Sequence, residues 1–367
     1  VIKRGGAETL NKAKNVIFVL LTGAPSHVDT FDLKEGVDTP LNTMKPETIN
    51  GIRFPTGIMP NLAQYVPEMG IVRSVQPWAL QHTLCQSWVQ IGRSPAGVLG
   101  DVAPNIGTIV AVEKEKDRRA GQVFPTFLAL NSAGGVGSGF LSADYAPFKI
   151  DAPANTAASG LPDTVNPDGE QRFNAKWDMM MKLEGDLRTP ANRYGTRMSD
   201  YDNFYQNGRG LMFNNTVNSA FRLTNDDAVR YGSSAFGNAC LTAAKVLAAD
   251  GGTRYVQISL GGWDMHNTIY TALPPLAKQL DTGLAALVGD LKKNGLFNDT
   301  LIVVMGEFGR TPGRITPTQG RDHYAQQFAV FLGAGVKGKA IGLTDENGRG
   351  TVETGWSHDR NVRPEDI

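Results

Sequence analysis

Asn15-Val-Ile-Phe-Val-Leu-Leu-Thr22, running directly into Gly23-Ala-Pro-Ser-His-Val-Asp-Thr-Phe-Asp32, decides how the chain folds. The first eight residues are almost continuously apolar rather than alternating. That is the pattern of a strand buried on both faces, as in a parallel sheet sandwiched by helices. The glycine and the polar, acid-bearing stretch that follow mark the strand's exit. Three similar runs lie further on: Arg254-Tyr-Val-Gln-Ile-Ser-Leu260, Thr300-Leu-Ile-Val-Val-Met-Gly306 and Phe328-Ala-Val-Phe-Leu-Gly333. Ile71-Val-Arg-Ser-Val75 is a weaker fifth. All five read as buried parallel strands.

Helical patterns sit between these runs. Leu273, Leu276, Leu280, Leu284, Leu287 and Leu291 recur at three- and four-residue spacing, giving one apolar stripe. Asn294-Gly295 supplies its C-cap. Residues 236–249, rich in Ala and Leu, predict a second helix ended by Asp250-Gly251-Gly252. Helix, strand, helix, strand in succession predicts a parallel sheet with helices on its faces. Residues 151–235 lose the strand signal, and residues 171–188 look helical. They are expected to form an insertion or cap within a single domain spanning 1–367; a separate small helical domain is the alternative.

The chain has 367 residues, with 36 basic and 36 acidic side chains. This balance argues against a protein that binds nucleic acid by neutralising phosphates. Cys85 and Cys240 are too few for a disulfide framework or a cysteine zinc cluster. The longest apolar run is far short of the roughly 20 residues of a membrane span. Gly134-Gly135-Val-Gly137-Ser-Gly139 lacks the spacing of a phosphate loop, and no Gly-x-Ser-x-Gly elbow occurs.

The chemistry is concentrated where strands end. Asp29 follows the first run, Gly261-Gly-Trp-Asp264-Met-His266 the second, and Glu307-Phe-Gly-Arg310-Thr-Pro312 the third; Gly320-Arg321-Asp322-His323 precedes the fourth. Ligands of open α/β sheets bind beyond the carboxyl ends of the strands. Asp29, Asp264, His266, Glu307 and His323 are therefore expected in one crevice as metal ligands. Zinc, manganese or calcium are the candidate ions. Arg310 and Arg321 are expected to hold an anionic substrate. Each residue also has a plainer reading. Asp29 could cap a helix, Asp264 and His266 could bond each other, Glu307 could pair with Arg310, and Asp322 with Arg321.

Together these clusters, with Phe140-Leu-Ser-Ala-Asp144-Tyr-Ala-Pro-Phe148, resemble a large bacterial family known only as a domain of unknown function. That family is placed in the alkaline phosphatase and sulfatase superfamily. The resemblance implies an α/β/α sandwich and a site of one or two divalent metal ions. It implies ligand roles for Asp29, Asp264, His266 and His323, with Glu307 standing where the superfamily has an Asp and Phe308 where it has a His. It also implies a periplasmic or secreted protein. Ten residues before Gly92, where sulfatases carry their nucleophile, this chain has His82. His82 is expected to act as a general acid–base or a further ligand, with metal-bound water attacking. The expected activity is hydrolysis of phosphate or sulfate esters of small molecules or carbohydrates. The alternative is a non-catalytic ligand-binding protein on a sulfatase-like scaffold.

Overall fold

Asn15–Leu21 forms β1, and its side chains divide between two cores: Ile17, Val19 and Leu21 enter one, Phe18 and Leu20 the other. A strand buried on both faces must lie inside a layered sandwich. The computed structural model describes residues 13–97, 102–132, 137–152, 169–185, 202, 205–206, 208–342, 344–348 and 362–367. Residues 134–136 of the glycine-rich loop, residues 186–188 at the end of the expected middle helix, and His358 lie outside them.

Beyond β1 come β2 (Pro46–Ile49), β3 (Ile52–Pro55), β4 (Gly70–Val75), β5 (Phe127–Leu130), β6 (Phe148–Ile150), β7 (Tyr255–Leu260) and β8 (Thr300–Gly306). β9 (Gly309–Arg310), β10 (His323–Tyr324), β11 (Gln327–Gly333) and β12 (Lys339–Ile341) complete the set. Eight strands build the main sheet in the order β12-β4-β11-β8-β1-β7-β5-β6. β1 pairs in parallel with β7 and β8, Leu21 lying beside Leu260 and Gly306. The exits of these three central strands therefore share one edge.

β11 corrects the expectation of a parallel fourth strand. It runs antiparallel to both β4 and β8. Its amino end, not its carboxyl end, consequently meets the exits of the other strands. β9 and β10 pair antiparallel just ahead of it, with His323 opposite Arg310. β5, β6 and β12 are strands of three or four residues. Runs that short do not stand out by periodicity.

Helices Ala235–Ala248 and Ile269–Lys293 cover one face of the sheet, and His82–Ile91 and Ile106–Glu115 the other. The expected leucine stripe is on the longest helix: Leu273, Leu280, Leu284, Leu287 and Leu291 are buried. Each such side chain contributes roughly 1.5–3 kcal/mol by leaving water. Gly295, at φ 71°, follows the C-cap Asn294. On the same helix the buried Asp281 accepts hydrogen bonds from Asn61 and Leu62 and so holds the short helix Pro60–Ala63. Among the described residues of 151–235 there are helices Gly169–Glu184, Asn215–Phe221 and Asn225–Tyr231, and no strand. Among the described residues no helix is long and apolar enough to cross a membrane.

Candidate metal centre

Two glycines let the strand exits close on one another. Gly23 sits at φ 106°, and a Cβ there would lie 2.5 Å from the amide nitrogen of Asp264. A Cβ on Gly320 would lie 2.0 Å from the carbonyl carbon of His266. Any other residue would push the loop after β7 away from the loop after β1 or from the β10 approach. Asp264 and His266 follow β7, Glu307 follows β8, and His323 opens β10. His82 is the first residue of the helix after β4, with Gln81 as its N-cap.

His82, Asp264, His266 and His323 each turn one ligand atom to a common point, all within 4.8 Å of one another. Nε2 of His323 lies 3.1 Å from Nε2 of His82 and 3.1 Å from Nε2 of His266. Asp264 Oδ1 is 3.1 Å from His266 Nε2 and 3.5 Å from His82 Nε2. The opposite nitrogen of each ring faces an acceptor. His82 Nδ1 is 2.8 Å from Glu307 Oε1, His266 Nδ1 is 2.9 Å from Asp322 Oδ1, and His323 Nδ1 is 2.8 Å from the Leu80 carbonyl. A carbonyl or carboxylate oxygen only accepts, so each Nδ1 carries the proton. In the neutral rings the Nε2 lone pair of His266 accepts from Arg310, which also donates to Asp264, whereas the Nε2 lone pairs of His82 and His323 point at each other across 3.1 Å. Such an arrangement repels itself unless a cation stands between the atoms. Imidazoles held at their far nitrogen by an oxygen are the usual form of histidine metal ligands.

The surroundings favour the same state. Burial lowers the His323 pKa, against the Leu80 carbonyl and with help from Arg310 and the neighbouring imidazoles. Burial would raise the Asp264 carboxyl, but the hydrogen bond and charge of Arg310 hold it below the ordinary carboxylate range. Phe308 is fully buried, with its ring 4.8 Å from that of His82 and 4.6 Å from that of His323. It cannot ligate, and instead braces two rings that can.

The structure rearranges the expected roles. Asp29 is not in the cluster: its oxygens accept from Ser26, Tyr270 and Arg321, whose Nε lies 2.7 Å away. Arg321 has its N–H groups on Asp29, Tyr270 and the carbonyls of Thr311 and Gly313, and in this arrangement keeps none for an anion. Arg310 is likewise buried, with its N–H groups on Gly23, Ala24, Asp264, His266 and the Arg321 carbonyl. It positions Asp264 and His266, and in this arrangement keeps no donor for an anion. Glu307 stands behind His82, accepting also from Gly23 and Gln86, and not from Arg310. His82, expected as a general acid–base or a further ligand, stands in the cluster beside Asp264, His266 and His323. Three imidazole nitrogens and one carboxylate suit zinc or manganese, whereas calcium takes oxygen ligands.

Sequence reading treated Asp322 only as a partner for Arg321, and had no means of finding the Leu80 carbonyl. Asp322 sits next to His323 in sequence yet serves His266, which spacing does not reveal. No sequence-adjacent hydroxyl or thiol aims at the cluster. The Cys85 thiol donates to the Ala79 carbonyl and is raised in pKa by burial; Thr83 and Ser87 bond to Gln81 and to the Thr83 carbonyl.

Comparison with solved structures finds distant likenesses. A lipoteichoic acid synthase, LtaP, from Listeria monocytogenes matches with TM-score 0.42 and 12% identity, over 90% of this chain and 68% of that one. The PsFucS1 sulfatase from Pseudoalteromonas sp. matches with TM-score 0.41 and 13% identity, over 91% and 66%. The C-terminal periplasmic domain of EcEptC from Escherichia coli, in complex with Zn, matches with TM-score 0.41 and 10% identity, over 89% and 75%. The chain thus spans about two thirds of the length of the first two. No curated protein matches it by sequence. One family profile does, over residues 13–361, which take in every strand exit described above: the chain belongs to the family described as protein of unknown function DUF1501.

Proposed function

We propose that the protein is a metal-dependent hydrolase of phosphate or sulfate esters, with His82, Asp264, His266 and His323 as the ligands of one divalent ion. The observation that carries this is the convergence of three imidazole lone pairs and a carboxylate, with all three Nδ1 protons fixed by outward acceptors. A zinc or manganese ion would supply Lewis-acid polarisation of an ester oxygen and ready deprotonation of water. The chain's own residues do the rest. Glu307 and Asp322 hold His82 and His266 in the ligating tautomer. Arg310 orients Asp264. With the hydroxyls of Thr83 and Ser87 and the thiol of Cys85 bonded elsewhere, water is the proposed nucleophile. Small-molecule or carbohydrate esters, met outside the cytoplasm, are the proposed substrates.

Elemental analysis of purified protein, followed by an ester panel with and without added zinc or manganese, tests this reading. One ion per chain and turnover that a chelator abolishes are expected. Absence of metal binding rules the reading out. The missing side-chain nucleophile also suits a metal-holding binding protein without turnover. Stoichiometric metal with no hydrolysis of any ester would select that second reading.

A further inference from the structure

Beside the four converging ligands lies a closed ion pair. Asp29 is fully buried, and Arg321 is 2% exposed. Arg321 bonds both oxygens of Asp29, at 2.7 and 3.3 Å, while Ser26 and Tyr270 donate to the same carboxylate. The remaining N–H groups of Arg321 go to Tyr270, Thr311 and Gly313. This pair adds no net charge to the site and offers nothing to a second ion. The guanidinium occupies the position that a cation would take beside Asp29.

The charge of the site follows. Asp264 and Glu307 are negative, and Arg310 is the one cationic side chain bonded to the cluster or its acceptors among the described residues. The three imidazoles enter as neutral ligands. Two carboxylates against one guanidinium leave one negative charge. One divalent ion turns that into one positive charge. Asp322 is 63% exposed at its side chain, so water screens it. Counting it in full lowers the loaded site to neutral. The loaded centre therefore carries between zero and one positive charge. Arg310, the group that could clamp a further anionic oxygen, has N–H groups committed to Gly23, Ala24, Asp264 and the Arg321 carbonyl; its remaining one meets His266 Nε2, the atom offered to the ion, so loading leaves at most one N–H for an anionic oxygen.

We infer that the metal-loaded site takes a singly charged tetrahedral ester, a sulfate monoester or a phosphate diester, and discriminates against doubly charged phosphate monoesters. This rests on the metal-dependent reading above and specifies its substrate. In the reaction the oxygen of water bonds to sulfur or phosphorus. The bond to the alcohol oxygen breaks with its electron pair, and a proton from water ends on that alcohol. A singly charged ester matches the loaded centre; a dianion brings a negative charge that nothing in the cluster neutralises.

The test separates the two readings. Protein loaded with zinc, or in parallel with manganese, is first assayed for bound metal. At about pH 8, where a phosphate monoester is doubly charged, calorimetry then measures binding of methyl sulfate, dimethyl phosphate and methyl phosphate. Turnover is measured on 4-nitrophenyl sulfate, bis(4-nitrophenyl) phosphate and 4-nitrophenyl phosphate. One ion per chain is expected, with at least about tenfold tighter binding and higher kcat/KM for one or both singly charged compounds than for the dianion. Whichever singly charged arm responds identifies sulfate or phosphate diester as the source. Asp322→Asn, at an exposed position, is expected to raise the dianion's share. Two ions per chain, equal or better use of the dianion, or binding of none of the three anions by the loaded protein would overturn the inference while leaving metal binding intact. A protein that takes up no metal overturns both readings.

Discussion

Glu307 shows how one buried carboxylate sets the chemistry of a neighbour. Its Oε1 accepts from His82 Nδ1, the Gly23 amide and Gln86, and its Oε2 is buried without a hydrogen-bond partner among the described residues. The charge fixes the His82 proton on Nδ1 and raises the basicity of Nε2. Glu307→Gln keeps the shape and removes the charge. Zinc affinity measured by calorimetry is expected to fall about 10–100-fold, with the fold retained by circular dichroism. An unchanged affinity would show that Glu307 does not act through His82. In sequence, Glu307 and His82 were both legible as candidate site residues, but not their division of labour. An acid at a strand exit can face an ion or the back of an imidazole, and only the ring's orientation separates the two. Phe308 illustrates the same limit: by its position in the motif it stands where a ligand is expected, whereas its ring braces His82 and His323.

At the scale of elements, the direction of β11 brings His323 to the site. A parallel β11 would begin at the opposite edge of the sheet, and Gly320-Arg-Asp-His323 would open away from Asp264. Its apolar run reads the same in either direction, because a strand buried on both faces leaves no alternation to mark its orientation. Helix Asn225–Tyr231 carries a different, testable element. Thr224 and Asp227 form its capping box, and Asp227 also bonds Lys245 on the neighbouring helix. Burial would raise the Asp227 carboxyl, but hydrogen bonds from Lys245, Thr224 and Arg230 bring it down to about 2. A carboxyl depressed in the fold stabilises above its unfolded pKa of about 3.9 and loses that contribution as the pH falls towards 2. Urea midpoints taken between about pH 5 and pH 2.5 are therefore expected to fall more steeply for the natural protein than for Asp227→Asn. Parallel curves would show that the ion pair is too screened to matter.

For the whole molecule, the cluster links ligand binding to stability. The loops after β1, β7 and β8 and the β9–β10 hairpin come from distant parts of the chain and meet only in the folded state. An ion that binds there and not to the unfolded chain stabilises by about 2.7 kcal/mol at a hundred times its Kd. The melting temperature is expected to rise with free zinc or manganese, to return with chelator, and to stay flat in His323→Ala. A metal-independent melting curve in the natural protein would contradict a site formed on folding. What the sequence determined alone was the α/β class, its central strands and its long helices, because continuous apolar runs and leucine spacing follow from burial and helical period. The acids and imidazoles at the strand exits were determined too, since glycine-flanked turns mark those exits wherever they lie in space. Tertiary structure decided which of them share a point. Asp29 and Arg321 are drawn into a closed pair, His82 is swung in from the helix after β4, and His323 is delivered by an antiparallel strand. Those choices depend on long-range approach and ring orientation, which local pattern does not encode.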